Sequence, residues 1–384
     1  MNPETRPPAP HKDRDALREL VIASLQDQGF NLDSGRIALP GPLEKADLRR
    51  LHELAVAHRR ERSRPRLERH QTRLLGWIAD GTQVHPAQIA PRLVEVKRDS
   101  EEELLFRFVS LHWSIPVSSG YGRRLRFLVM DGSNGKLIGI LGLGDPVFNL
   151  GARDQWIGWD RSQRQTNLQH VMEAFVVGAV PPYSRLLGGK LVAMLLAARE
   201  VHRGFAKRYA NKQALISGRP LEGKLALITT QSALGRSSIY NRVRYHDRLL
   251  LHPLGFTAGF GEFHFANGLY GALSEYATQY CEPTAKAEAW GSGFRNRREV
   301  IKKSLVSLGL PTEWVHHGIR REVFAVPLAN KTPQFLRGEL VRPGWINLSA
   351  LELAEWWRER WLLPRVERRE DFAAFRREEY ALWR

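Results

Sequence analysis

"PPYSRLLGGKLVAMLL", residues 181–196, sets a Pro-Pro pair, a Gly-Gly pair and a lysine directly ahead of an apolar run. Its reading decides the fold, because the same letters describe either a turn that cradles a phosphate or the start of a buried helix. A P-loop, G-x-x-x-x-G-K-[ST], needs glycine where Ser184 stands and a hydroxyl where Leu191 stands. Nothing replaces the hydroxyl that should hold magnesium, so that class of nucleoside triphosphatase is excluded. The dinucleotide fingerprint G-x-G-x-x-G is absent too. What survives is a strand, a turn and a helix, and the chain on either side shows what they belong to.

Ahead of the turn, "QHVMEAFVVGAV" (169–180) reads as a strand. Behind it, "GGKLVAMLLAAREVHRGFAKRYAN" (188–211) reads as one helix, and "KLALITTQSA" (224–233) as a strand ending in polar residues. Farther upstream, "RLVEVKRDSEEELLFRFVSLHW" (92–113) predicts a strand and a short helix. "RRLRFLVMDGSNGKLIGILGLGD" (123–145) alternates and turns at Asp-Gly-Ser-Asn-Gly, which is a hairpin signal. Downstream come a helical "SSIYNRVRYHDRL" (237–249) and a hairpin-like "LGFTAGFGEFHF" (254–265). The order predicts an α/β (α+β) fold: a mixed sheet with crossover helices and helical additions at both ends.

The expected organisation is a disordered tail at 1–12 and a basic helical region at 13–90, broken at Pro65. A mixed-sheet core follows at 91–285, then a small basic α/β unit at 286–345 and C-terminal helices at 346–384, interrupted at Pro364. Trp356, Trp357 and Trp361 are helix-spaced and expected to dock on the core or a partner. With 58 Lys+Arg against 41 Asp+Glu, the chain carries +17. Its expected partner is a polyanion, nucleic acid and DNA above all. No apolar run reaches the length of a membrane span and the N-terminus lacks a signal-peptide core, so the expectation is a cytoplasmic protein with no membrane partner. Cys281 is the only cysteine, which excludes an intrachain disulfide and a cysteine-based zinc site within one chain.

Several residues are candidates for contact with nucleic acid. Arg59, Arg60 and Arg62 lie in an arginine-rich helix, and Arg295, Arg297, Arg298, Lys302 and Lys303 lie in a basic helix that only Glu299 answers. For each, a solvated helix face is the plain alternative. Arg153, Trp156 and Trp159 offer an anion contact and flat faces for base stacking, and Asp154 beside them offers a base; the plain reading is a structural loop. Strand ends in open α/β sheets are where ligands bind, which singles out Thr229, Gln231, Ser232, Arg236, Ser237, Tyr240 and Asn241. Glu173, in the strand before the turn, would gain a raised pKa from an apolar sheet and accept a proton near neutrality, unless it is an ion-pair partner. His246, Asp247, His252, Glu262 and His264 match no metal spacing, so no metal is expected.

Arg185, Gly188 and Lys190 fall on the marked positions of R/Q-x-x-G-x-G/A, the phosphate turn of the GNAT-type N-acetyltransferases, with Lys190 in place of the last Gly or Ala. The strand order and "HPLGF" (252–256) also resemble that fold. The resemblance implies an acyl-coenzyme A held by Arg185, Gly188, Gly189 and Lys190, with Asn241 orienting it. It further implies Glu173 as general base and Tyr240 as the acid that protonates a leaving thiolate. A glycine-assisted helix start remains the other reading. A second resemblance rests on "ARDQWIGWDRSQRQTNLQHV" (152–171), taken with "GYGRRLRFLVMDGSNGKLIGILGLGDPVFNL" (120–150) and "HHGIRREVFAVPLANKTPQFLRGE" (316–339). These stretches resemble the DruA family of the Druantia anti-phage defence, whose members also occur beside transposases. That implies defence against phage or mobile-element biology on nucleic acid, with a helicase or transposase as protein partner. It leaves open both a group-transfer enzyme and a non-catalytic DNA-binding subunit.

Overall fold

The computed structural model describes residues 11–32, 35–39, 41, 43–118, 122–214, 218–284, 293–294 and 296–384. The expected tail at 1–12 lies outside them except for His11 and Lys12, which open a helix. The chain forms two compact units. A helical unit comprises Met1–Arg62, Ser114–Pro116 and Ala258–Arg320; a sheet unit comprises Ser63–Trp113, Val117–Thr257 and Arg321–Arg384.

In the helical unit lie α1 (His11–Asp27) and most of α2 (Lys45–Leu67). Pro65 sits inside α2, close enough to its end that the missing N–H costs one bond and the helix stops at Leu67 rather than breaking at Pro65. The sheet unit continues with α3 (Gln71–Leu75), β1 (Pro91–Glu95), α4 (Glu101–Ser110), β2 (Arg124–Asp131) and β3 (Leu137–Gly144). Next come α5 (Gly151–Ile157), α6 (Arg161–Asn167), β4 (Val171–Ala179), α7 (Gly188–Met194), α8 (Arg199–Tyr209) and β5 (Leu227–Gln231). A two-stranded ribbon, β6 (Arg244–Tyr245) and β7 (Arg248–Leu249), precedes β8 (His252–Phe256). The chain then supplies α9 (Leu269–Tyr280) and α10 (Arg297–Ser307) to the helical unit and returns with β9 (Glu322–Pro327), α11 (Thr332–Leu336) and α12 (Ala350–Trp357).

Seven strands form one mixed sheet in the order β1-β2-β3-β4-β5-β9-β8. All its pairs are antiparallel except β4 with β5. Every residue of β3 is buried, and its glycines are what let β4 come close: a Cβ on Gly139 would stand 2.3 Å from the Gly178 carbonyl, and one on Gly142 2.6 Å from the Phe175 ring. Strand alternation gives the sheet two apolar faces. Met172, Ala174, Ile228 and Phe324 pack with α7 and α12, while Val171, Leu227 and Ala325 pack with Ile157, Phe335 and Leu336. Each fully buried aliphatic side chain contributes about 1.5–3 kcal/mol over exposure, so this two-sided core dominates the sheet unit.

Four expectations change. "GIRREVFAVPLA" supplies β9 to the main sheet, between β5 and β8, instead of a separate small unit. "LGFTAGFGEFHF" does not form a hairpin: β8 pairs with β9, and Phe263–Phe265 is a 3-10 turn in the helical unit. The segment 188–211 is two helices, because Ala198 is extended (φ −69°, ψ 138°) between α7 and α8. "SSIYNRVRYHDRL" holds only the 3-10 turn Tyr240–Arg242 before the β6–β7 ribbon. In the first two cases strand pairing over long sequence distance overrides local propensity.

Candidate functional site

The segment around α5 is built about a buried ion pair. Arg153 is fully buried; its Nε donates to Asp154 Oδ1 (2.8 Å), and its two Nη atoms donate to the carbonyls of Val147 and Phe148 (both 2.8 Å). The Asp154 carboxylate also accepts from the Leu150 N–H (2.9 Å), Trp159 Nε1 (2.9 Å) and Arg164 Nη1 (3.0 Å). A carboxylate has about four acceptor sites, and here all are used. Asp154 therefore has no capacity left for base work, and Arg153 and the buried Trp159 have no surface to offer a nucleic acid. The expectations for these three give way to the structural reading. Trp156 is half-buried in the same layer.

At the centre of the sheet β4 and β5 run parallel only as far as the Ala174–Thr230 pair, after which β4 continues to Ala179 paired with β3 but not with β5. Glu173 lies at this fork and accepts from Gln231 Nε2 (2.7 Å). Burial pushes its pKa up, against the opposing influence of the Gln231 bond, Arg153, the Val147 N–H and Arg321. Beside it in register, the Thr229 hydroxyl is buried and has no partner among the described residues. Tyr240 is on the other face, edge-on to Phe324 (5.4 Å) and bonded to Thr230; burial pushes its hydroxyl up to about 12. Glu173 and Tyr240, expected to serve one reaction, are separated by the sheet itself.

The turn ahead of α7 is packed under the C-terminal segment. Arg185 donates to the Asp371 carbonyl (2.7 Å) and lies over the Phe375 ring (5.4 Å). Trp357, buried in the core, donates its Nε1 to the Leu187 carbonyl (3.1 Å). Gly188 is a packing glycine: a Cβ there would stand 2.6 Å from the Tyr183 carbonyl. These residues do not fit a coenzyme A pyrophosphate held in the expected manner, because Arg185 and Gly188 are committed to the protein. Gly189 is roomier, with only Ile239 Cδ1 at 3.7 Å from a Cβ. Asn241 donates to the Ser237 carbonyl (2.7 Å) and approaches the Glu322 carboxylate (3.2 Å).

Lys190 alone of the marked side chains faces an open cavity. This cavity, about 610 Å³, is lined by Lys190, Asn241, Arg242, Arg244, His246, Asp247, Trp356, Arg360 and Trp361. Lys190 Nζ stands 4.5 Å from the centre of the Trp361 ring. Its pKa is lowered by burial first, then by Arg242 and Arg360. Sequence reasoning missed the three arginines and treated the tryptophans as docking residues. The only signal was the alternation of cations in "NRVRYHD", which lies more than a hundred residues from Arg360.

The remaining candidates are dispersed. Arg62, Arg236, Arg297 and Lys302 are exposed, and Arg59, Arg60 and Lys303 half-buried. Arg297 lies over the Tyr270 ring (4.0 Å), Arg298 pairs with Glu262 (2.8 Å), and Arg295 lies outside the described residues. No group of three metal-ligating side chains occurs among the described residues. His264 is instead buried with Nε2 on the Trp314 carbonyl (2.7 Å), and burial pushes it down to about 4. By sequence the helical unit holds 18 Lys and Arg against 16 Asp and Glu, the sheet unit 40 against 25; residues 117–257 alone hold 20 against 8. No helix among the described residues is long and apolar enough to cross a membrane.

A family profile described as Druantia protein DruA matches residues 42–338. The chain is 40% identical over 370 residues to the Druantia protein DruA of Escherichia coli strain UMEA 4076-1, which covers 96% of this chain and 89% of that protein. No solved structure matches.

Proposed function

As the chain belongs to the DruA family of anti-phage defence proteins, we propose that it acts in that defence by binding nucleic acid through its sheet unit. The observation that carries this reading is the partition of charge: nearly all of the +17 resides in the sheet unit, while the arginines of the helical unit are matched by acids. Unmatched cations on one unit are the electrostatic footprint of a phosphate partner. On α8, Arg203 and Lys207 are exposed one turn apart and illustrate such a face.

The test is duplex DNA binding by fluorescence anisotropy at 50 and 200 mM salt, conditions between which several phosphate contacts weaken binding by well over tenfold. Reversing charge in the sheet unit, Arg203→Glu with Lys207→Glu, is expected to lower both affinity and salt slope. The matching pair in the helical unit, Arg297→Glu with Lys302→Glu, is expected to change them little. The opposite ranking, or no binding at all, would refute this reading.

A second reading, group transfer at the β4–β5 fork, is favoured by one feature. The strand order, with its single parallel pair opening beside a carboxyl of raised pKa, resembles the acetyltransferase arrangement. Since Arg185 and Gly188 are committed elsewhere, acetyl-coenzyme A is expected to give no stoichiometric heat in calorimetry. A one-to-one heat that vanishes in Gly189→Trp, at the glycine whose Cβ would meet nothing nearer than 3.7 Å, would favour the second reading over the first.

A further inference from the structure

The cavity beside α7 has the makings of a ligand site that neither the family nor the fork requires. Four cations line it, Lys190, Arg242, Arg244 and Arg360, against a single carboxylate, Asp247. None of the four has a carboxylate within ion-pair distance among the described residues; Arg244 donates instead to the backbone carbonyl of Asp247 (3.1 Å). Like charges held together without a counter-ion raise one another's energy, and an anion would relieve it. Two flat faces stand beside them. Trp356 is fixed by its Nε1 bond to the Arg244 carbonyl (2.9 Å) and lies 4.3 Å from the His246 ring. His246 itself is held out by the tight β6–β7 turn at φ +50°. Trp361 comes from a π-helical turn, Arg358–Leu362, in which the Leu363 N–H bonds to the Arg358 carbonyl. Such turns are rare and concentrate at functional sites. Here it presents Arg360 and Trp361 to the cavity while Trp357 stays in the core.

Unpaired cations next to aromatic faces match a ligand that joins phosphate to a heteroaromatic ring. We propose that this cavity binds a single nucleotide, its phosphate among Lys190, Arg242 and Arg360 and its base against Trp361 and Trp356. The volume of about 610 Å³ falls within the range of roughly 300–1,000 Å³ usual for small-ligand sites. The nucleotide comes either from solution or from the end of a strand; only for the second source does the inference rest on the nucleic-acid reading above.

The experiment uses the full chain and three probes: dAMP, a 5′-phosphorylated single-stranded 12-mer labelled at its 3′ end, and the same 12-mer without phosphate. Each is titrated into the unmodified protein, Arg242→Ala, Arg360→Ala and Trp361→Leu. The two arginine heads are exposed, so those variants report binding even if Trp361→Leu fails to fold, which circular dichroism detects. The expected result is tenfold or greater weakening in both arginine variants, with the phosphorylated 12-mer preferred over the bare one. Displacement of the 12-mer by dAMP at comparable concentration identifies free nucleotide as the source; preference for the 12-mer by more than tenfold identifies the strand end. DNA binding that is unchanged in all variants, with no dAMP binding, overturns the nucleotide site and leaves the nucleic-acid reading intact. Failure of every probe, and of duplex DNA, overturns both.

Discussion

The two units carry cations in different ways. In the helical unit 18 basic side chains face 16 acidic ones, and pairs such as Arg298–Glu262 (2.8 Å) lie at the surface. In the sheet unit 40 basic side chains face 25 acidic ones, and two of those acids are built into networks. Asp154 gathers Arg153, Arg164, Trp159 and the Leu150 N–H, and Glu103 gathers Arg107, Arg126 and the Asp99 N–H. Acids spent on structure leave the arginines around α7 uncompensated. An arginine-rich stretch is therefore a poor guide to phosphate contact until its acidic neighbours are known.

The sharpest way to break this contrast is Asp154→Ala. It strands the fully buried Arg153 guanidinium and should cost about 3–5 kcal/mol in chemical denaturation. A loss under about 1 kcal/mol would show that the network holds nothing together.

Acid titration probes the second network. Burial works to raise the Glu103 pKa, but the Asp99 N–H and the guanidinium groups of Arg126 and Arg107 outweigh it and draw the group from 4.5 down to about 2. A depressed folded-state value means stability that is complete above about pH 4.5 and lost as pH falls toward 2, on the order of 3 kcal/mol. Glu103→Gln should flatten that window of the pH–stability curve; an unchanged curve would assign the acid loss to other groups.

Two glycines test the turn. Gly188→Ala drives a Cβ to 2.6 Å from the Tyr183 carbonyl and should cost about 1–3 kcal/mol, whereas Gly189→Ala finds nothing nearer than 3.7 Å and should be neutral or gain a few tenths. Equal thermal midpoints would mean the turn is looser than its packing. Arg298→Ala, at an exposed pair in the helical unit, should likewise change stability by less than about 1 kcal/mol.

Much of the sheet was legible because its signals are local. The 123–145 hairpin, the β4 strand and the polar end of β5 were readable from alternation and turn residues. The cavity was not, since it joins Lys190, residues 241–247 and residues 356–361, three stretches with no common spacing. The Arg-Asp pair of the α5 segment was visible as a pattern, yet its role depended on burial, which no spacing reveals.

The sequence by itself determined the net charge of +17, the absence of a P-loop, the mixed α/β character and the stretches that resemble the DruA family. Each follows from residue identity over a short window or a simple count. Only the tertiary structure decided that β9 closes the sheet between β5 and β8, that Arg185 is held by the C-terminal segment, and that Glu173 and Tyr240 lie on opposite faces. These depend on contacts between residues tens to hundreds of positions apart. Burial and pairing there set what a charged side chain has left to offer a ligand.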